Sequence, residues 1–168
     1  QLTEAPAYTA GLLHDLGKIL LLNLHPYGLK AVLDHARRAK IPVREAEKIF
    51  LGCTTAEMAY HFVSSRKLPR RFANVIRWFA TPEQATEDSE LVAVVSFARA
   101  LCLHNRVGTS GDHLVEQSAP IEETPEWAQL RHSVFPSFNL REFEQKVQAF
   151  SRELRLEMHG RIKEYSAA

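Results

Sequence analysis

The sequence predicts an all-α fold. Three observations carry that prediction. Apolar residues recur at spacings of three and four along most of the chain, alternation of the strand type is scarce, and Pro26, Pro42 and Pro69 fall at the ends of periodic stretches. A chain of 168 residues suits one domain or one and a half. At that length it buries about 70% of its unfolded surface, enough for its own core. The expectation is six or more helices.

Residues 1–10 form a short polar lead in which Thr3, Glu4 and Pro6 suit a turn or a helix start. The first helix is predicted from about Ala7 to Leu24, with Leu12, Leu13, Leu16, Ile19 and Leu20 at helical spacing and Leu22 and Leu24 extending the run. His25-Pro26 ends it, because proline disfavours helix in the residue before it. A second helix, about Tyr27 to Ala39, carries Leu29, Val32, Leu33 and Ala36 on its apolar face. Arg37 and Arg38 occupy its last turn, followed by Lys40, where positive charge suits the helix dipole. His35 lies near that face and reads as structural. After Ile41-Pro42, a third helix runs from about Val43 to Leu51, with Ala46, Ile49 and Phe50 inward, and ends at Gly52.

Thr54 or Thr55 can cap the next helix, about Ala56 to Arg66, with Glu57 placed as the reciprocal partner of Thr54 in a capping box. Met58, Ala59, Phe62 and Val63 form its buried face. Leu68-Pro69 then separates it from a helix of about Arg70 to Ala80 with Phe72, Val75, Ile76 and Phe79 inward. Arg66, Lys67, Arg70, Arg71 and Arg77 cluster here and read first as a solvated face. Thr81 to Ser89 is a polar loop. Glu90 to Leu103 is apolar nearly all round, as a central helix should be. Asn105 to His113, with Gly108 and Gly111, reads as a turn or loop. Between 114 and 138 only Glu126 to His132 looks helical, with Trp127 as a packing anchor. Asn139 can cap a last helix from Leu140 to Met158 or beyond, ended by Gly160. Its stripe of Phe143, Val147, Phe150, Leu154 and Met158 is expected to pack on the chain or on a second subunit.

Lys plus Arg total 21 and Asp plus Glu 20, a balance that argues against a strongly electrostatic nucleic-acid binder. No apolar run reaches the roughly 18 residues of a membrane span. Residues 1–10 lack the features of an export signal, and Cys53 and Cys102 read as reduced thiols, so a cytoplasmic protein is expected.

The stretch with chemical content is Gly11-Leu12-Leu13-His14-Asp15-Leu16-Gly17-Lys18. Neighbouring helical residues point about 100° apart. An adjacent His and Asp can therefore approach one metal ion from two directions. Gly17 costs roughly 1 kcal/mol in a helix relative to Ala, so it should serve close packing or a ligand.

That string resembles the dyad helix of the HD superfamily of metal-dependent phosphohydrolases, and its flanks are most similar to the HDOD branch, a regulatory relative in bacterial signalling proteins. The resemblance covers about residues 8 to 108. It implies an HD-type helical bundle over residues 1–108, followed by a linker and an amphipathic helix over 109–168. The family's further ligand positions are then placed residue by residue. Gly52-Cys53-Thr54-Thr55-Ala56-Glu57 puts Thr55 where a histidine would stand. Val75-Ile76-Arg77-Trp78-Phe79 before Pro82 puts Trp78 and Phe79 where two more would stand. Ala98-Arg99 puts Arg99 at the late aspartate. An upstream histidine has no candidate, since only 13 residues precede His14. The chain is therefore either part of a larger protein or a shortened domain.

Thr, Trp, Phe and Arg are poor divalent-metal ligands, and two ligands are too few for a stable catalytic site. The resemblance thus implies a vestigial site made of His14, Asp15, Lys18, Thr55, Trp78, Phe79 and Arg99. No cofactor and no catalytic residue are expected, and Arg99 is expected either to pair with Asp15 beside Trp78 in place of a metal or to point to solvent from the far side of its helix. The expected function is a non-catalytic signalling module with a protein partner, and a homodimer is possible. Two alternatives stay open: an HD-type hydrolase of nucleotides or cyclic dinucleotides, and a sensor of a ligand or nucleic acid using Lys18 and the Arg66–Arg77 cluster.

Overall fold

The computed structural model describes residues 4–105, 107–108, 111, 120–133 and 137–167. Among them the regular structure is helical throughout. The predicted helix Ala7–Leu24 is two helices, α1 (Glu4–Leu13) and α2 (Leu16–Leu24), and the His14-Asp15 pair is the corner between them. Asp15 has φ −97° and ψ 16°, outside the helical well, and its carbonyl accepts the Lys18 N–H at 3.0 Å to start α2. The corner exists because the two halves have different partners. α1 lies on the later helices α6 (Arg70–Trp78) and α7 (Ser89–His104), whereas α2 lies on α3 (Pro26–Ala39) and α5 (Thr55–Ser65). Gly17 makes the second contact possible: a Cβ there would overlap the Thr55 carbonyl.

The other helix ends follow local chemistry. Pro26 opens α3 at a position that needs no N–H, and the His25 ring accepts the Gly28 N–H at 3.0 Å as its cap. Lys40 ends α3 in the left-handed region. α4 (Val43–Leu51) ends at Gly52, whose φ of 73° suits a residue without Cβ. The capping box expected at Thr54 and Glu57 is present, and the Thr54 N–H meets the Glu57 carboxylate at 2.7 Å. α6 stops at Trp78, two residues before the predicted end, and a 3₁₀ turn follows at Pro82–Gln84. Buried Asn74 donates to the Asp88 carboxylate at 2.8 Å, fixing the loop before α7. A second 3₁₀ turn (Ile121–Glu123), α8 (Pro125–Ser133) and α9 (Leu140–Ala167) complete the chain.

α7 is central, as its all-round apolar pattern predicted. Leu91, Val92 and Val95 face Ala10, Val75 and Phe79, while Ala93, Phe97 and Leu101 face Ile121, Trp127 and Leu130. Trp127 stacks on Phe97 with centroids 5.3 Å apart, which bears out its reading as an anchor. Ala59, Val63, Ala73 and Ile76 seal α5 against α6. Each fully buried large apolar side chain contributes on the order of 1.5–3 kcal/mol.

Several predicted core positions lie outside it. Ile49 and Phe50 are exposed at 65% and 49%, and α4 turns Val43, Ala46 and Glu47 inward instead. The reason is α3, which α4 meets through Val32 and Ala36. Phe62 on α5 and Leu12, Ile19, Leu22 and Leu24 on the first two helices are exposed as well. On α9 the expected stripe is not core along its length: Phe150 is 61% exposed, and the helix is seated by Leu140 and Ser151. Asn139 does cap α9, accepting the Glu142 N–H at 3.2 Å. Gly160 does not end it, since the helix continues to Ala167. Much of the predicted loop 105–113, and the Met158 side chain, fall outside what the structure describes.

Candidate functional site

The corner sets the dyad in place. The His14 Nδ1 lies 2.6 Å from the Gly11 carbonyl oxygen. A carbonyl only accepts, so Nδ1 carries the proton and donates. The ring stands edge-on against Phe79, with centroids 4.9 Å apart at 82°. Asp15 turns to Lys18, whose Nζ is 3.0 Å from Oδ1, while His14 Nε2 is 3.8 Å from Oδ2. Lys18, one turn along α2, is therefore a close cation on Asp15. Arg99, assigned that role from the sequence, reaches the site from α7 with its guanidinium 5.8 Å from the Phe79 ring centre.

Thr55 is buried and committed to a residue that sequence reasoning missed. Its N–H donates to Glu47 Oε2 at 3.0 Å and its hydroxyl to Oε1 at 2.6 Å. Glu47 is 3% exposed. Burial pushes its carboxyl above the ordinary value of 4.5, against the lowering influence of the two Thr55 bonds and of Lys18; Asp15 adds to the rise. A signal for Glu47 was present. Val43, Ala46, Glu47 and Phe50 stand at i, i+3, i+4 and i+7, so this carboxylate sits within the apolar stripe of α4.

Trp78 and Phe79 close α6, Trp78 half-buried and Phe79 buried. Arg77 lies against two rings, 4.6 Å from the Tyr60 centre and 4.7 Å from the Trp78 ring. A cavity of about 720 Å³ opens beside the dyad, and Lys18, Thr55, Trp78, Phe79 and Arg99 all line it. A second, mostly apolar cavity of about 310 Å³ is lined by His14, Arg99, Val95 and Cys102 among others. The seven positions expected from the sequence thus converge, with Asp15 joined through Lys18 and Arg99 standing in the wall of both cavities.

These residues do not fit a divalent metal. Asp15 holds an ammonium, Thr55 is tied to Glu47, and Phe79 offers a ring, which leaves His14 Nε2 as the donor a metal would take, and that is too few for a stable site. Among the described residues no group of three or more His, Cys, Asp or Glu side chains is disposed to hold a metal ion. Three other described histidines have local partners: His25 caps α3, His35 meets the Phe50 ring edge-on, and His104 lies 3.4 Å from Glu144 on α9. Within the basic cluster, Arg70 pairs with Glu87 at 3.0 Å, Arg66 lies over Phe62, and Arg77 lines the larger cavity.

A helical bundle folded around a His-Asp corner is the architecture of an HD-like domain. Residues 1–82 match the family model of the HDOD domain. The fold agrees with a crystal structure described as an HDOD domain protein with unknown function from Geobacter sulfurreducens. The two superpose with a TM-score of 0.70 at 22% identity, over 92% of this chain and 51% of that one. The chain therefore spans about half the length of that structure. No curated protein matches the sequence. Among the described residues no helix is long and apolar enough to cross a membrane.

Proposed function

We propose that this chain is a non-catalytic regulatory module of a bacterial signalling protein, acting through a protein partner, with the dyad kept as a structural corner. One observation carries the reading: the carboxylate of the dyad and the hydroxyl that faces it are already engaged by their neighbours. Asp15 holds Lys18 and Thr55 holds Glu47, so only the Nε2 of His14 is left to offer a metal. A hydrolytic metal would need several of these donors at once. Seating it would break the Asp15–Lys18 pair and leave the ammonium beside the cation.

A partner surface has support in the exposed apolar side chains Tyr8, Leu12, Ile19, Leu22, Leu24 and Tyr27 on the first three helices, since large exposed apolar groups mark contact surfaces when they gather. The test is metal analysis of the purified protein together with turnover assays on nucleotides and cyclic dinucleotides in Mn²⁺. We expect no bound transition metal and no turnover. Turnover that requires Mn²⁺ and vanishes in His14→Ala and Asp15→Ala overturns the reading.

A further inference from the structure

The larger cavity has a charge pattern that the dyad does not explain. α4 presents Arg44 and Lys48 to it, and α6 presents Arg77 from another side. Arg44 and Lys48 stand at i and i+4, where like charges repel and cost stability unless something offsets them. Among the described residues neither is ion-paired. Arg99 adds a further positive charge to the wall, where Lys18 stands paired with Asp15.

Three carboxylates also line the cavity, Glu45, Glu47 and Glu57, and two of them are spoken for. Glu47 accepts both Thr55 donors and is pushed toward its neutral form by burial. Glu57 accepts the Thr54 N–H and hydroxyl in the capping box, which with Lys48 and Arg77 nearby holds its carboxyl below the ordinary value, so its negative charge offsets part of theirs. With Lys18 set against Asp15, the four cations Arg44, Lys48, Arg77 and Arg99 face three carboxylates, and the balance is positive.

Arg77 is prepared for a ligand. Its guanidinium rests on the Tyr60 and Trp78 rings, which restrain its orientation while leaving its in-plane N–H donors for an oxyanion. α5 begins at this wall, so the positive end of its dipole adds to the field. The volume, about 720 Å³, lies within the roughly 300–1,000 Å³ typical of small-molecule sites.

We propose that this cavity binds a small polyanion, phosphorylated or polycarboxylated, directly on Arg44, Lys48 and Arg77 and without a metal ion. The site supplies a ligand input to the module. It does not depend on the loss of hydrolysis, so its failure leaves that reading untouched, and the converse also holds.

The experiment is calorimetric titration of the full chain with pyrophosphate, ATP and citrate, in EDTA, at low and at raised salt. Binding by at least one probe is expected, weakening as salt screens the cations. Pyrophosphate or ATP without citrate identifies a phosphoryl ligand, and citrate alone a polycarboxylate. Arg77→Gln and Lys48→Glu should each weaken binding about tenfold or more, a change of about 1.4 kcal/mol. Lys48 is exposed, so its charge reversal tests the site even if Arg77→Gln fails to fold. No binding by any probe, binding only after a divalent metal is added, or affinity unchanged in Lys48→Glu overturns the proposal.

Discussion

Around the dyad, α5 and α6 bury Ala59, Val63 and Ile76 completely, and nearly every polar group has a named partner. Along α9, Leu140 and Ser151 are the buried side chains among those described, while Phe143 and Phe150 face outward at 38% and 61% exposure. Both regions have amphipathic sequences. What separates them is the facing element. α2 reaches α5 because Gly17 lets backbone approach backbone, and α6 reaches α5 through Ala59 and Ala73. An apolar stripe describes one helix; burial needs a second surface shaped to receive it.

The contrast is sharpest in stability. Ile76→Ala empties a fully buried site and should cost about 2–5 kcal/mol, read by chemical denaturation. A cost near zero would mean that α5 and α6 do not pack as described. Gly17→Ala drives a methyl into the Thr55 carbonyl, and overpacking of this kind costs about 1–3 kcal/mol. A stable Gly17→Ala variant would show that the corner tolerates a wider gap between α2 and α5.

Thr55→Val keeps the shape and removes the hydroxyl, leaving Glu47 Oε1 buried without that donor, at about 1–3 kcal/mol. The same carboxylate predicts a pH dependence. Its folded value is raised, so the folded state holds the proton more tightly than the unfolded chain does. This contribution is fully present below the ordinary 4.5 and is lost as pH rises through the folded value. Midpoints measured across that window should fall with rising pH, and Glu47→Gln should flatten that part of the curve. An unchanged slope in Glu47→Gln would assign the dependence to another group. The smallest effect belongs to α9. Phe150→Ala should shift stability by no more than about 0.5 kcal/mol in the isolated chain. A loss as large as that at Ile76 would show that a second surface covers α9 in solution.

Much of this architecture was legible in the sequence. Proline and glycine marked most helix ends, the capping box at Thr54 was readable from its two residues, and the all-round apolar pattern put α7 at the centre. The site was legible as a set of positions, since five of the seven line one cavity. Its wiring was not. Periodicity joined α1 and α2 because Leu12, Leu13 and Leu16 keep helical spacing across the corner, and only the diverging partners of the two halves bend the chain there. Lys18 was not named as a cation for Asp15, although three residues along α2 bring its ammonium to 3.0 Å from the carboxylate. Glu47 was passed over because a charged residue in an amphipathic helix is read as outward, although Val43 and Ala46 place it on the inner stripe.

The dyad corner has one more consequence. Asp15 closes the turn with its main-chain carbonyl and holds Lys18 with its side chain, and His14 ties back to Gly11. The same two letters therefore belong to a joint as well as to a side-chain pair. A substitution at either one disturbs both, so any effect of His14→Ala or Asp15→Ala on activity or binding has to be read beside a measurement of folding.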